Sequence, residues 1–245
     1  MREVLRKMKR VTKIVLGWDF FVKPDCHYSY QRFGSEYGGW NVAVSQLNEN
    51  SIIYSFGVGE DASFDIALMQ KYGCVIHAFD PTPRSFQWVQ EQNFPPDFIM
   101  HNYGISNRDG LALFNPPENP AHVSHTLLDR LTTKDKAIEV SVKKLSTTMK
   151  ELGHWKIDLL KMDIEGAEYL VIEDIKNNNS PPPKQLLIEF HHRFNNVGIN
   201  KTKDAIKTIK EMGYFQFQPL ARNSALYTTE NNVPIKDEPP MGTAV

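Results

Sequence analysis

Cysteine is nearly absent from this sequence: Cys26 and Cys74 are the only two in 245 residues, and no paired-cysteine spacing links them. This excludes a disulfide framework and a cysteine-ligated zinc site, and it fits a reducing, cytoplasmic setting. An excess of one charge is also missing. With 28 basic and 29 acidic residues the net charge is -1, so there is no general attraction to a phosphate backbone and no nucleic-acid partner is expected. Long apolar runs are missing too. The opening stretch MREVLRKMKRVTKIVLGWDFFV is interrupted by Lys13 and Asp19, and it reads as an amphipathic helix rather than as a cleaved leader, within a helical or extended N-terminal segment, 1–29, that packs on or precedes the core. No integral membrane association is expected, and no internal repeat is visible.

What remains is ordinary globular material, 41% hydrophobic and 23% charged. A chain of this length suits one large α/β domain or two small ones and buries roughly 70–75% of its unfolded surface. Residues 52–56 form a short apolar run ending at glycines, and 62–72 carry a helical pattern. Residues 74–79 are rich in β-formers and close on Asp80-Pro81, and 84–92 return to helical spacing. Strand, helix, strand, helix implies parallel pairing with right-handed crossovers. Further strands are predicted at 98–102, 111–114, 138–143, 157–162 and 186–190, with helices near 145–152, 167–176 and 202–212. A closing strand pair at 214–218 and 224–228 would form an antiparallel edge. The core domain is therefore expected over 30–230 as a doubly wound sheet with helices on both faces. Residues 115–136, with three prolines, and 177–183 read as loops, and 231–245 as a disordered tail.

The turn Ser55-Phe56-Gly57-Val58-Gly59 opens a G-x-G-x-x-A spacing between a strand and a helix, where missing side chains let the backbone approach a bound group. Asp80 lies 21 residues past Gly59 at the next strand end, where a carboxylate can accept both ribose hydroxyls of a nucleoside. Together they point to an adenosine-containing ligand. A nicotinamide dinucleotide satisfies the same pattern, and charge separates the two: a dinucleotide brings a pyrophosphate, S-adenosylmethionine a sulfonium cation. Glu60 and Asp61 after the turn, and Asp163 and Glu165 at a later strand end, favour the cation. Glu60 and Asp61 also suit the positive end of a helix without any ligand.

YSFGVGEDASFD, HAFDPTPRS, DLLKMDIEGAE and LLIEFHHRF, with RFGSEYGGW before them and HVSHT in the proline loop, resemble consecutive motifs of FkbM-type methyltransferases over residues 30–228. The resemblance implies a Rossmann-like class I methyltransferase fold, with a seven-stranded, mostly parallel sheet and a terminal antiparallel strand. It implies S-adenosylmethionine as cofactor and O-methylation of a small-molecule, sugar or glycan hydroxyl. It also implies cofactor contacts from Ser55, Phe56, Gly57, Val58, Gly59, Glu60, Asp80, Pro81 and Asn102, and active-site acids at Asp163 and Glu165. Gly38, Gly39 and Trp40 would close over the site, with Trp40, His122, Ser124 and His125 as acceptor contacts.

An alcohol acceptor must lose a proton during transfer, and Asp163, His191 and His192 are the candidate bases, all expected at strand ends. His191 leads, because imidazole titrates near neutral pH and alternation places it on the face of Glu189. A divalent metal on Asp163, Glu165, Glu189 and His191 is a less favoured alternative. An NAD-dependent oxidoreductase and a catalytically inactive methyltransferase-like binding domain are the competing readings. The sequence fixes neither the acceptor nor the oligomeric state.

Overall fold

In the computed structural model of this chain the described residues are 8, 12–14, 19–117, 125–128, 133–178, 181–194, 196–218 and 224–229. Residues 8 and 12–14 are helical, whereas 19–22, the end of the stretch expected to be helical, are not; 1–7, 9–11, 15–18 and the tail at 231–245 lie outside the described residues. Strands β1 (Tyr30–Phe33) and β2 (Trp40–Ala43) form an antiparallel hairpin. The chain continues through β3 (Ile53–Phe56), α1 (Ser63–Tyr72), β4 (Ile76–Phe79), α2 (Pro83–Glu91) and β5 (Phe98–His101). It then forms β6 (Gly104–Ile105), β7 (Gly110–Phe114), β8 (Ile138–Lys143), α3 (Leu145–Glu151) and β9 (Leu159–Met162). The closing elements are α4 (Glu168–Asn177), β10 (Gln185–Glu189), α5 (Gly198–Glu211), β11 (Phe215–Gln216) and β12 (Ser224–Thr228).

β3 is buried at all four positions, which calls for apolar groups on both faces, and the alternation sorts them. Tyr54 and Phe56 join Phe79, Leu160, Met162 and Ile188 on one face, under Tyr169 and Ile172 of α4 and Ile209 of α5. Ile53 joins Ala78, Leu159 and Leu187 on the other, against Phe64 and Leu68 of α1 and Trp40 and Val42 of β2. Each large side chain so buried contributes about 1.5–3 kcal/mol.

The main sheet has seven strands in the order β11-β12-β10-β9-β3-β4-β5. All pairings from β10 to β5 are parallel, and β12 runs antiparallel to both β10 and β11. The chain therefore steps outward from β3 to β4 and β5, then returns to β9 on the other side of β3. Such a reversal opens a crevice at the carboxyl ends of the two central strands. One expectation changes here. β7 and β8 do not extend the main sheet but form a separate three-stranded sheet, β6-β8-β7, in which β7 turns Leu111 and Leu113 to solvent and Ala112 and Phe114 inward. Within the N-terminal segment, Phe20 enters the α4-side core and Asp25 pairs with Lys210 at 2.6 Å. Among the described residues no helix is long and apolar enough to cross a membrane.

Candidate active site

The crevice is a cavity of ≈ 500 Å³, within the range of small-molecule sites. Its first wall is the glycine turn. Gly57 has φ 84, and a Cβ there would lie 1.8 Å from the Asp163 carbonyl oxygen, so only glycine lets β3 and the end of β9 close this tightly. Two bonds fix the turn: the Gly57 N–H donates to Phe79 O at 2.9 Å, and Lys161 Nζ donates to Gly57 O at 2.8 Å. The Gly59 N–H donates to Asp80 Oδ2 at 3.0 Å, while Thr82 donates to Asp80 Oδ1 from its N–H and its hydroxyl at 2.9 and 2.6 Å. Asp80 thus ties β4 to the turn on β3 and still lines the cavity.

The acids after the turn are engaged. Glu60 is bridged by Arg84 through two contacts, at 2.7 and 2.9 Å. Asp61 accepts from Ser35 Oγ at 2.7 Å and from the Ser63 N–H at 2.8 Å. Burial pushes the Asp61 carboxyl upward, but the bonds from Ser63 and Ser35 outweigh it and hold its pKa below the usual value. Ser35 Oγ also accepts from the Gly38 N–H at 2.8 Å, so the β1–β2 loop is laced to the start of α1. Tyr37, in that loop, is 92% exposed and stands at the cavity mouth.

The second wall follows β9. Glu165 adopts φ 51, the only positive φ of a non-glycine residue among those described, and Gly166 follows at φ 100. Such a conformation costs about 1–3 kcal/mol and persists where surroundings enforce it. Here Thr126 Oγ1 donates to the Glu165 carbonyl, and the Gly166 N–H donates to Glu168 Oε2 at 2.8 Å. Glu168 is wholly buried. Its Oε1 accepts the His191 N–H at 2.9 Å and the His191 Nδ1–H at 3.2 Å. That leaves His191 Nε2 facing Glu165 Oε2 at 3.5 Å and Asp163 Oδ1 at 3.8 Å. Burial alone would lower the His191 pKa, but the bond to Glu168 and the charges of Glu168, Glu165 and Asp163 raise it to about 10. Glu189 is pushed up to about 7 by burial and by Asp163.

Of the residues singled out in the sequence, Phe56, Gly57, Val58, Gly59, Glu60, Asp80, Pro81, Asp163, Glu165 and His125 all line the cavity. Others are elsewhere. Ser55 is wholly buried beneath the turn, because it precedes the point where the strand opens. Asn102 is exposed and outside the cavity; the chain turns after β5, and Gly104 and Ile105 of β6 take the lining position instead. Trp40 is packed in the α1-side core with Lys161 Nζ 5.8 Å from its ring centroid, so it is a core residue and not an acceptor contact. His192 is buried against Phe20, with Nε2 3.5 Å from Asp19 Oδ1, and does not reach the cavity. β10 ends at Glu189, so the alternation used to orient the two histidines no longer applies beyond it. His191 lies behind Asp163 and Glu165, outside the residues that line the cavity. His122 and Ser124 lie outside the described residues. The sequence reading missed Tyr37, Thr82, Ile105, Phe114, Lys161 and Glu168; Glu168 closes the DIEGAE motif, yet an acid in the first turn of a helix is ordinary without any site.

The Methyltransferase FkbM domain matches residues 51–215. The probable methyltransferase-like protein 24 of Homo sapiens is 29% identical over 153 residues, covering 62% of this chain and 36% of the relative. The Rattus norvegicus protein of the same name is 31% identical over 143 residues, covering 57% and 32%. The chain thus spans about a third of the length of these curated relatives. The crystal structure of the methyltransferase FkbM from Methylobacillus flagellatus KT aligns with TM-score 0.45 and 15% identity over 74% of this chain and 44% of that one. With two thirds of its length matched by that domain, the chain belongs to the methyltransferase FkbM domain family.

Proposed function

We propose that this chain is an S-adenosylmethionine-dependent O-methyltransferase acting on a hydroxyl of a small-molecule, sugar or glycan acceptor. The observation that carries the reading is one cavity bounded by the glycine turn and Asp80 on one side and by Asp163 and Glu165 on the other. In this reading the adenine lies in the apolar slot of Pro81, Ile105 and Phe114, Asp80 takes the ribose hydroxyls, and the methionine part passes over residues 57–59. The sulfonium then faces Asp163. A dinucleotide is disfavoured: its pyrophosphate would meet carboxylates, the Gly59 N–H already serves Asp80, and Arg84 is spent on Glu60. The same acidity argues for a neutral or cationic acceptor rather than a nucleic acid.

Methyl transfer is an in-line displacement, so catalysis rests mainly on holding the acceptor oxygen, methyl and sulfur in line. The acceptor proton passes to a carboxylate at the acidic end, Asp163 or Glu189, a step that a placed base accelerates ~10²–10⁴-fold. Transfer of labelled methyl from S-adenosylmethionine to a panel of free sugars, neutral glycans and hydroxylated metabolites tests the assignment. Label in a hydroxyl acceptor is expected. Label confined to protein or nucleic acid would overturn the acceptor class, and binding of NAD without S-adenosylhomocysteine would overturn the cofactor.

A further inference from the structure

We propose that Asp163, Glu165 and His191 form a site for one divalent cation of the Mg²⁺ and Mn²⁺ class. For its role in catalysis, though not for its binding, this rests on the methyltransferase reading. One ligand atom from each residue falls within 4.8 Å of the others. The contacts of His191 Nε2, 3.5 Å to Glu165 and 3.8 Å to Asp163, stand close to the ~3 Å separation of neighbouring ligands around an ion with bonds of ~2.1 Å. Small side-chain rotations bring the three donors to one point.

The independent sign of a ligand is the setting of the imidazole. The His191 side chain is only 9% exposed. Its Nδ1 is committed to Glu168, a carboxylate with no exposure at all, and its Nε2, which makes no hydrogen bond among the described residues, is aimed at the two acids. A histidine whose far nitrogen is held by a buried carboxylate is oriented as metal-bound histidines are. Charge points the same way. Asp163, Glu165, Glu168 and Glu189 converge on one imidazole, and the neighbouring Lys161 spends its ammonium on the Gly57 carbonyl. The two carboxylates are hard donors suited to Mg²⁺ or Mn²⁺, and the imidazole, a borderline donor, is accepted more readily by Mn²⁺ than by Mg²⁺. The Asp163 side chain is 33% exposed and that of Glu165 20%, so a cation has a way in and keeps positions open toward the cavity.

On such a cation the acceptor oxygen binds directly. Its O–H bond breaks, with the proton going to Glu189, which lies outside the ligand set and, unlike Glu168, is not bonded to His191. The O–CH₃ bond forms as the S–CH₃ bond breaks, and S-adenosylhomocysteine remains.

Titration of the full chain with Mn²⁺, following the free-ion signal by electron paramagnetic resonance, tests the site. One Mn²⁺ per chain is expected. Asp163→Asn and His191→Gln should each weaken it about tenfold or more, and Glu168→Gln less, with folding checked by circular dichroism. Glu60→Gln, in the same cavity but outside the cluster, should leave affinity within about twofold. No binding at millimolar Mn²⁺, or unchanged binding in both ligand variants, overturns the proposal. Calorimetry with S-adenosylhomocysteine under chelation reads the cofactor site separately, so loss of one reading is distinguished from loss of the other.

Discussion

At the scale of single residues, Gly57 shows how one missing side chain fixes the cavity. Its φ of 84 and the 1.8 Å approach of an added Cβ to the Asp163 oxygen mean that any substitution pushes the ends of β3 and β9 apart. Gly57→Ala is therefore expected to cost about 1–3 kcal/mol of stability and to weaken S-adenosylhomocysteine binding at least about tenfold. Thermal melting and calorimetry on the same protein check both. Destabilisation with unchanged affinity would detach the turn from the ligand. This glycine was legible because strand-turn-helix with G-x-G spacing has few other causes. Glu168 was not, because an acid in the first turn of a helix is also what the helix dipole favours, and only the fold shows its carboxylate bridging Gly166 and His191.

At the scale of elements, the strands of the parallel sheet were readable because burial on both faces demands continuous apolar runs. The β1–β2 hairpin was not: YQRF exposes three of its four residues, and a strand of that kind leaves no hydrophobic pattern. Nor was β6, at two residues. β3, β4 and β5 also bring together a histidine cluster that no sequence spacing announces. His77 Nδ1 lies 3.0 Å from His101 Nε2, the His77 and His154 ring centroids are 4.9 Å apart, and the Tyr54 hydroxyl meets His154 Nδ1 at 2.7 Å. Burial, and then the charges of His101 and His154, push His77 down to about 4; burial lowers His101 and His154 as well, with Lys143 adding to the effect on His101. A pKa depressed in the fold means that the unfolded chain binds protons first. This contribution is complete above about pH 6.5 and is lost as pH falls toward 4, by at most about 1.4 kcal/mol per pH unit for each proton. The thermal midpoint is expected to fall across that window, and His77→Gln, which keeps a polar side chain without a titrating ring, to flatten the slope. An identical slope in the variant would assign the acid loss to other groups.

At the scale of the whole molecule, the strand order makes one site from distant stretches of chain. The turn at residues 57–59 and the acids at 163 and 165 are more than 100 residues apart, yet β3 and β9 pair directly, with Phe56 beside Met162. The alternation of strands and helices was enough to anticipate a doubly wound sheet. It could not show that β7 and β8 leave that sheet, because a small separate sheet and an added strand share one pattern of residues. A ligand spanning the crevice touches β3, β4 and the chain just past β9, so it should stabilise the molecule as a unit. At a concentration 100 times its Kd, a ligand that binds only the folded state adds about 2.7 kcal/mol. For a protein near this size that corresponds to a rise of about 5–10 °C in Tm. S-adenosylhomocysteine is expected to produce that rise in the full chain, and NAD at equal concentration to leave the midpoint where it was, because its pyrophosphate would face Asp163 and Glu165. The opposite pattern would return the cavity to a dinucleotide, and a flat response to both would mean that the turn and Asp80 serve the fold alone.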